Sequence, residues 1–139
     1  MKQWLIGVEK FTGFKVDFGI LGVRVFFGLS MALEHGLGKL PPSEKFIGYV
    51  TSMGFPLPSM MAWGASISEF IGGILIALGL ATRFWALTWI GTMGVAAFVA
   101  HADDPFKNKE MALSYLVVAI FLFLAGPGKH SVDNILTKD

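Results

Sequence analysis

The chain has 139 residues, 54% of them hydrophobic and 15% charged, with a formal net charge of +1 and no cysteine. Soluble domains carry about a quarter charged residues, so this composition belongs to a chain whose solvent is lipid. The near-neutral balance lacks the basic patch that phosphate backbones require and excludes nucleic acid as a partner. The missing cysteines exclude disulfides, thiolate nucleophiles and thiolate metal sites.

Met1-Lys2-Gln3-Trp4 leads into no apolar run that ends at a small-residue cleavage site, so no removable signal peptide is expected. Before the first long apolar run, Trp4, Leu5, Val8 and Phe11 share one helical face and predict a short interfacial helix. Four apolar runs then follow, over residues 18–36, 58–80, 84–101 and 110–126, each predicting a membrane-crossing helix. The first loop carries a second amphipathic piece. Phe46, Ile47, Val50 and Met53 share a face, Ser43 is placed to cap its start, and Gly54 to end it before Pro56 and Pro58.

Ala81-Thr82-Arg83 predicts a tight turn that makes the second and third spans antiparallel neighbours, and Gly126-Pro127-Gly128 stops the fourth. The apolar core of that fourth run is short for a hydrocarbon layer of about 30 Å, which draws Glu110 and Gly126 to membrane depth. The expected fold is therefore an all-α membrane protein: one domain, a four-transmembrane-helix bundle with short interfacial helices at the N-terminus and in the first loop. Six Lys and Arg residues flank the N-terminus, second loop and tail, against four in the first and third loops, which places both termini in the cytoplasm.

An ionisable side chain within a span is a candidate functional group, because burying it in lipid costs several kcal/mol unless it is paired. Arg24 and Glu69 are the two clear cases. Ala62, Ala65, Ser66, Gly72 and Gly73 share the helical face of Glu69, and this small-residue surface turns the carboxylate toward protein. Arg24 shares its face with Gly28, Met31 and His35.

Two readings follow. One is a structural Arg24–Glu69 salt bridge that sets helix register, and the other is a polar intramembrane pocket for a quinone or similar head group. The same topology gathers Glu34, His35, His101, Asp103, Asp104 and Glu110 at the outer face. There His35 or His101 suits proton exchange near neutral pH, while the Asp pair before Pro105 reads as an ordinary turn. No His-x-x-x-His or His-Glu-x-x-His spacing occurs, so no metal is expected, and no P-loop or GxGxxG opens a nucleotide site. Trp63, Trp85 and Trp89 are assigned to anchoring and helix packing, and His130 to a solvated tail.

A string of short motifs resembles the DoxX family of small bacterial membrane proteins across residues 22–133. These are Arg24 with Gly28, Gly36-Leu37-Gly38-Lys39-Leu40, Gly54-Phe55-Pro56, Glu69 with Gly72-Gly73, and Gly79-Leu80-Ala81-Thr82-Arg83. His101, residues 110–115, Gly126-Pro127-Gly128 and Ser131-x-Asp133 complete the string. The resemblance implies a four-helix inner-membrane bundle associated with quinone-linked sulfur oxidation or with membrane complexes that handle thiol and oxidative stress.

Two functions of different class are then expected. The first is a quinone-associated accessory subunit, with Arg24, Glu69, His35 and His101 forming the polar pocket and a membrane or periplasmic redox protein as partner. The second is a non-catalytic scaffold or chaperone that holds a partner protein, with the charges purely structural. An ion pathway would need homo-oligomerisation, which Gly91, Gly94 and Ala97 permit.

Overall fold

The computed structural model describes residues 13–138, and the helix expected around Trp4 to Phe11 lies outside them. Among the described residues, four helices are long and apolar enough to cross a membrane. The first, α1 (Phe14–Ser30), runs on without a break through a π-helical segment (Met31–Gly36) and a 3-10 turn (Leu37–Lys39). Then come α2 (Glu44–Ser52), α3 (Pro58–Leu78) and α4 (Thr82–Val95), the last extended by a second π-helical segment (Ala96–Ala100). Finally α5 (Phe106–Ala125) is followed by the short α6 (Val132–Leu136).

The helices outrun their apolar runs where polar residues continue the turn into the interfacial layer. Lys15 and Asp17 lie in the first turn of α1, and Lys107, Asn108 and Lys109 open α5. With 20 residues, α5 spans about 30 Å, so it crosses the hydrocarbon layer that its apolar core alone does not.

Along α1 and its π-helical continuation, Asp17, Ile20, Arg24, Gly28, Met31 and Ala32 are buried at helical spacing. A Cβ on Gly28 would lie 2.6 Å from the Gly73 carbonyl oxygen, and one on Gly73 would lie 2.6 Å from that of Gly28. The two helices therefore cross backbone to backbone, with Ala32 and Ala77 beside the crossing. Gly72, one position round α3, instead leaves room for the Trp85 ring of α4. Trp89 is fully buried against Tyr115 of α5, and its indole N–H donates to the Ser68 carbonyl at 2.9 Å, which ties α3, α4 and α5 into one core.

The interfacial helix α2 forms as its sequence predicts. Ser43 Oγ accepts from the Phe46 N–H at 3.2 Å, Val50 is buried, and Gly54 leaves the helix at φ 77°. The tight turn falls two residues earlier than expected. Gly79 and Ala81 take the left-handed conformation, and the Leu80 N–H reaches the Leu75 carbonyl at 2.9 Å in a Schellman-type cap, so Thr82 and Arg83 already belong to α4.

Its N-terminus is capped from far along the chain: Asp133 accepts from the Ala81 N–H at 2.7 Å and the Thr82 N–H at 3.0 Å. The Asp133 N–H donates to the Gly79 carbonyl at 2.8 Å. This gives the Ser131-x-Asp133 motif a structural meaning, since Ser131 caps α6 through the Asn134 N–H and so sets the carboxylate in place. Asp133→Ala is expected to lower the unfolding free energy by about 2 kcal/mol, measured by thermal unfolding in detergent. A change under about 0.5 kcal/mol would show that the cap is dispensable.

Candidate functional site

Glu69 is 3% exposed in the middle of α3. Its partner is Lys39, whose Nζ lies 2.6 Å from Glu69 Oε2 and 5.4 Å from the centre of the Phe46 ring. The expected Arg24–Glu69 salt bridge is not formed. Arg24 donates to the carbonyls of Ile76 at 3.3 Å and Ala77 at 3.4 Å, and to that of His130. It therefore closes the opposite end of the bundle, where Asp17 also accepts from the Lys129 N–H at 3.0 Å. A cation fits this place because the last carbonyls of α3 have no intrahelical partner and carry the negative end of the helix dipole.

Lys39 is brought to Glu69 by local geometry. The π-helical segment Met31–Gly36 inserts extra backbone into the turn, and Gly36 rests on α3, where a Cβ would lie 2.4 Å from the Phe70 nitrogen. The chain tightens into the 3-10 turn at the next residue, and the side chain of Lys39, the last residue of that turn, reaches inward. The second π-helical segment, Ala96–Ala100, faces the same region and delivers His101 at its end. His101 Nδ1 lies 2.7 Å from Asp104 Oδ2. That hydrogen bond is the main reason the Asp104 carboxyl sits below its ordinary pKa.

Two cavities meet at these groups. The larger, of about 510 Å³, lies between α2, the first half of α3 and the second half of α4. Phe46, Val50, Met53, Met60, Met61 and Val95 contribute to its apolar wall, and Lys39, Glu69 and His101 to its polar end. Its serine and threonine hydroxyls are already committed as donors: Ser68 to Thr88 Oγ1 at 2.8 Å, Thr88 to the Trp85 carbonyl at 2.8 Å, and Thr92 to the Thr88 carbonyl at 2.9 Å. The smaller cavity, of about 130 Å³, is shared by α1, α4 and α5 and is lined by His35, Tyr115 and Asn108 together with Lys39, Glu69 and His101. The His35 ring meets that of Tyr115 edge to face, with centroids 5.6 Å apart.

Three of the four candidate residues, Glu69, His35 and His101, thus line one connected polar region, and Arg24 lies outside it. Glu34, Asp103 and Glu110 are exposed, and His130 is exposed beyond α5. Among the described residues no three His, Asp or Glu side chains converge as metal ligands. Lys39 is the residue that sequence reasoning missed, because it counted only as a loop charge. Its place three residues after Gly36, at the end of a long apolar run, is the available signal.

A four-span bundle with a part-buried ion pair at the junction of two cavities is the class of membrane protein that this chain represents. It belongs to the DoxX family, whose model matches residues 19–102. The chain is 33% identical over 123 residues to the protein named "Putative oxidoreductase CatD" of Bacillus subtilis, covering 88% of this chain and 90% of that one. It is 29% identical over 126 residues to the inner membrane protein YqjF of Escherichia coli, covering 88% and 95% of the two chains. To the inner membrane protein YphA of the same organism it is 32% identical over 112 residues, covering 71% and 77%. No solved structure matches.

Proposed function

We propose that this protein is an accessory subunit of a membrane redox or oxidative-stress system in the bacterial inner membrane, and that it holds a quinone in the larger cavity. The observation that carries this reading is a cavity of about 510 Å³, largely apolar in its walls, that ends on the Lys39–Glu69 ion pair. That volume lies within the range of small-molecule sites, which pair an apolar body with a few orienting polar groups. A quinone divides in the same way, into an isoprenoid tail and a ring with two carbonyl acceptors. The Lys39 ammonium is the donor for one carbonyl, Glu69 holds that ammonium in position, and His101 exchanges protons with the outer face.

The oxidoreductase in the printed name of the Bacillus subtilis relative is in keeping with this reading, as are the inner-membrane names of the two Escherichia coli relatives. With both termini in the cytoplasm, the cavity opens toward the periplasmic side, where a redox partner would dock.

The test is mass spectrometry of organic extracts from gently purified wild type and Glu69→Gln. Loss of a charge-assisted contact costs about 1.5–3 kcal/mol, so bound quinone is expected to fall by about tenfold or more in the variant. Equal quinone in both samples removes Glu69 from the site. No quinone in either favours the scaffold reading, in which the ion pair only fixes the helices.

A further inference from the structure

Because the chain has no cysteine, the thioethers of its seven methionines are its only sulfur atoms. Every methionine among the described residues lines one of the two cavities. Met53, Met60 and Met61 line the larger, and Met31, Met93 and Met111 the smaller. The two linings together take up about a fifth of the described residues, so an even scatter of methionines does not produce this placement.

A methionine is an adaptable apolar filler as a thioether, but it becomes polar when a peroxide transfers an oxygen atom to it. Exposure divides the set. Met60 is 69% and Met61 42% exposed in the first turns of α3, whereas Met31 is 1% and Met93 6% exposed. Met53 is half-buried at the end of the amphipathic α2, beside the same mouth.

We propose that Met53, Met60 and Met61 form a reversible oxidation site, and that their conversion to sulfoxides closes the larger cavity to its apolar ligand. The consequence for binding rests on the reading of that cavity as a quinone site. Each thioether donates an electron pair to one peroxide oxygen: the O–O bond breaks, an S–O bond forms, and water leaves. A thiol-dependent reductase reverses the step, removing the oxygen as water while two thiols become a disulfide. The new S–O dipole has no committed donor in an apolar wall, and seating a quinone tail against it strips its water.

The test treats the full-length protein in detergent with hydrogen peroxide and follows two readouts. These are peptide mapping of sulfoxides and equilibrium binding of the short-chain analogue decylubiquinone. Met60 and Met61 are expected to oxidise well before Met31 and Met93, with the decylubiquinone Kd rising about tenfold and recovering after treatment with methionine sulfoxide reductases A and B.

A Met53→Leu/Met60→Leu/Met61→Leu variant keeps the walls apolar and retains Met111, which is 53% exposed on the smaller cavity. Whatever its own affinity, its Kd is expected to be the same before and after peroxide. An unmoved wild-type Kd with the three methionines oxidised overturns the proposal, as does an equal peroxide effect in the variant. Absence of decylubiquinone binding before oxidation instead overturns the quinone reading. Oxidation of Met31 and Met93 as fast as Met60 and Met61 overturns the oxidation site itself.

Discussion

Arg24→Ala is expected to lower the unfolding free energy by about 4 kcal/mol while leaving the quinone content of each folded molecule at the wild-type level. The guanidinium is fully buried and donates to three carbonyls from two distant segments, those of Ile76 and Ala77 at the end of α3 and that of His130 after α5. Alanine leaves these oxygens without their donor, and buried unpaired groups of this kind cost about 1–3 kcal/mol each. It also leaves a void, because the planar fork fills the space beside Gly79, where a Cβ would strike Arg24 and Ser131. Arg24→Lys keeps the charge but not the fork, and is expected to recover less than half of the loss. Denaturant unfolding in micelles, paired with extraction of the folded fraction, separates the two roles. A folded Arg24→Lys protein that has lost its quinone would return Arg24 to the ligand site.

The bundle is legible in the chain because lipid imposes one simple demand, that backbone polar groups be satisfied within a helix, and four apolar runs meet it in order. The inward orientation of Glu69 is legible too, since the small residues on its face mark a packing surface rather than lipid. Its partner is not, because pairing two opposite charges requires knowing the level at which each helix crosses its neighbour. Arg24 sits level with Ala77, eight residues along α3 from Glu69 and so about 12 Å away along the helix axis. The register was present in another form: Gly28, Ala32 and Gly36 recur every fourth residue, and they match Gly73 and Ala77 on α3.

The two π-helical segments have no counterpart in hydropathy or periodicity, and they are what turn Lys39 and His101 toward the site. The turn was misplaced by two residues for a related reason. Asp133 holds the Ala81 and Thr82 N–H groups from 52 and 51 residues further on, and no local signal carries that contact.

Gly36→Ala, the smallest side-chain addition available, is expected to cost about 2 kcal/mol and to deplete bound quinone along with Glu69→Gln. The added Cβ would lie 2.4 Å from the Phe70 nitrogen, 2.5 Å from its Cα and 2.8 Å from the Glu69 carbonyl carbon. These are backbone atoms of α3, and no rotamer change relieves them. The only relief is to move the π-helical segment away from α3 at the level of Glu69, and Lys39 follows three residues later on the same rigid turn. A shift of a few tenths of an ångström lengthens the 2.6 Å Lys39–Glu69 contact, and a buried carboxylate with a weakened partner destabilises the folded state.

Gly38→Ala is the matched control. It lies in the same turn, has nothing within 4 Å of its would-be Cβ, and is expected to change neither stability nor quinone content. If Gly36→Ala destabilises the protein but leaves quinone bound, the Lys39–Glu69 pair is a structural clasp and the ligand's polar contacts come from His101. If both properties fall together while Gly38→Ala stays silent, the close approach of α1 to α3 is what builds the site.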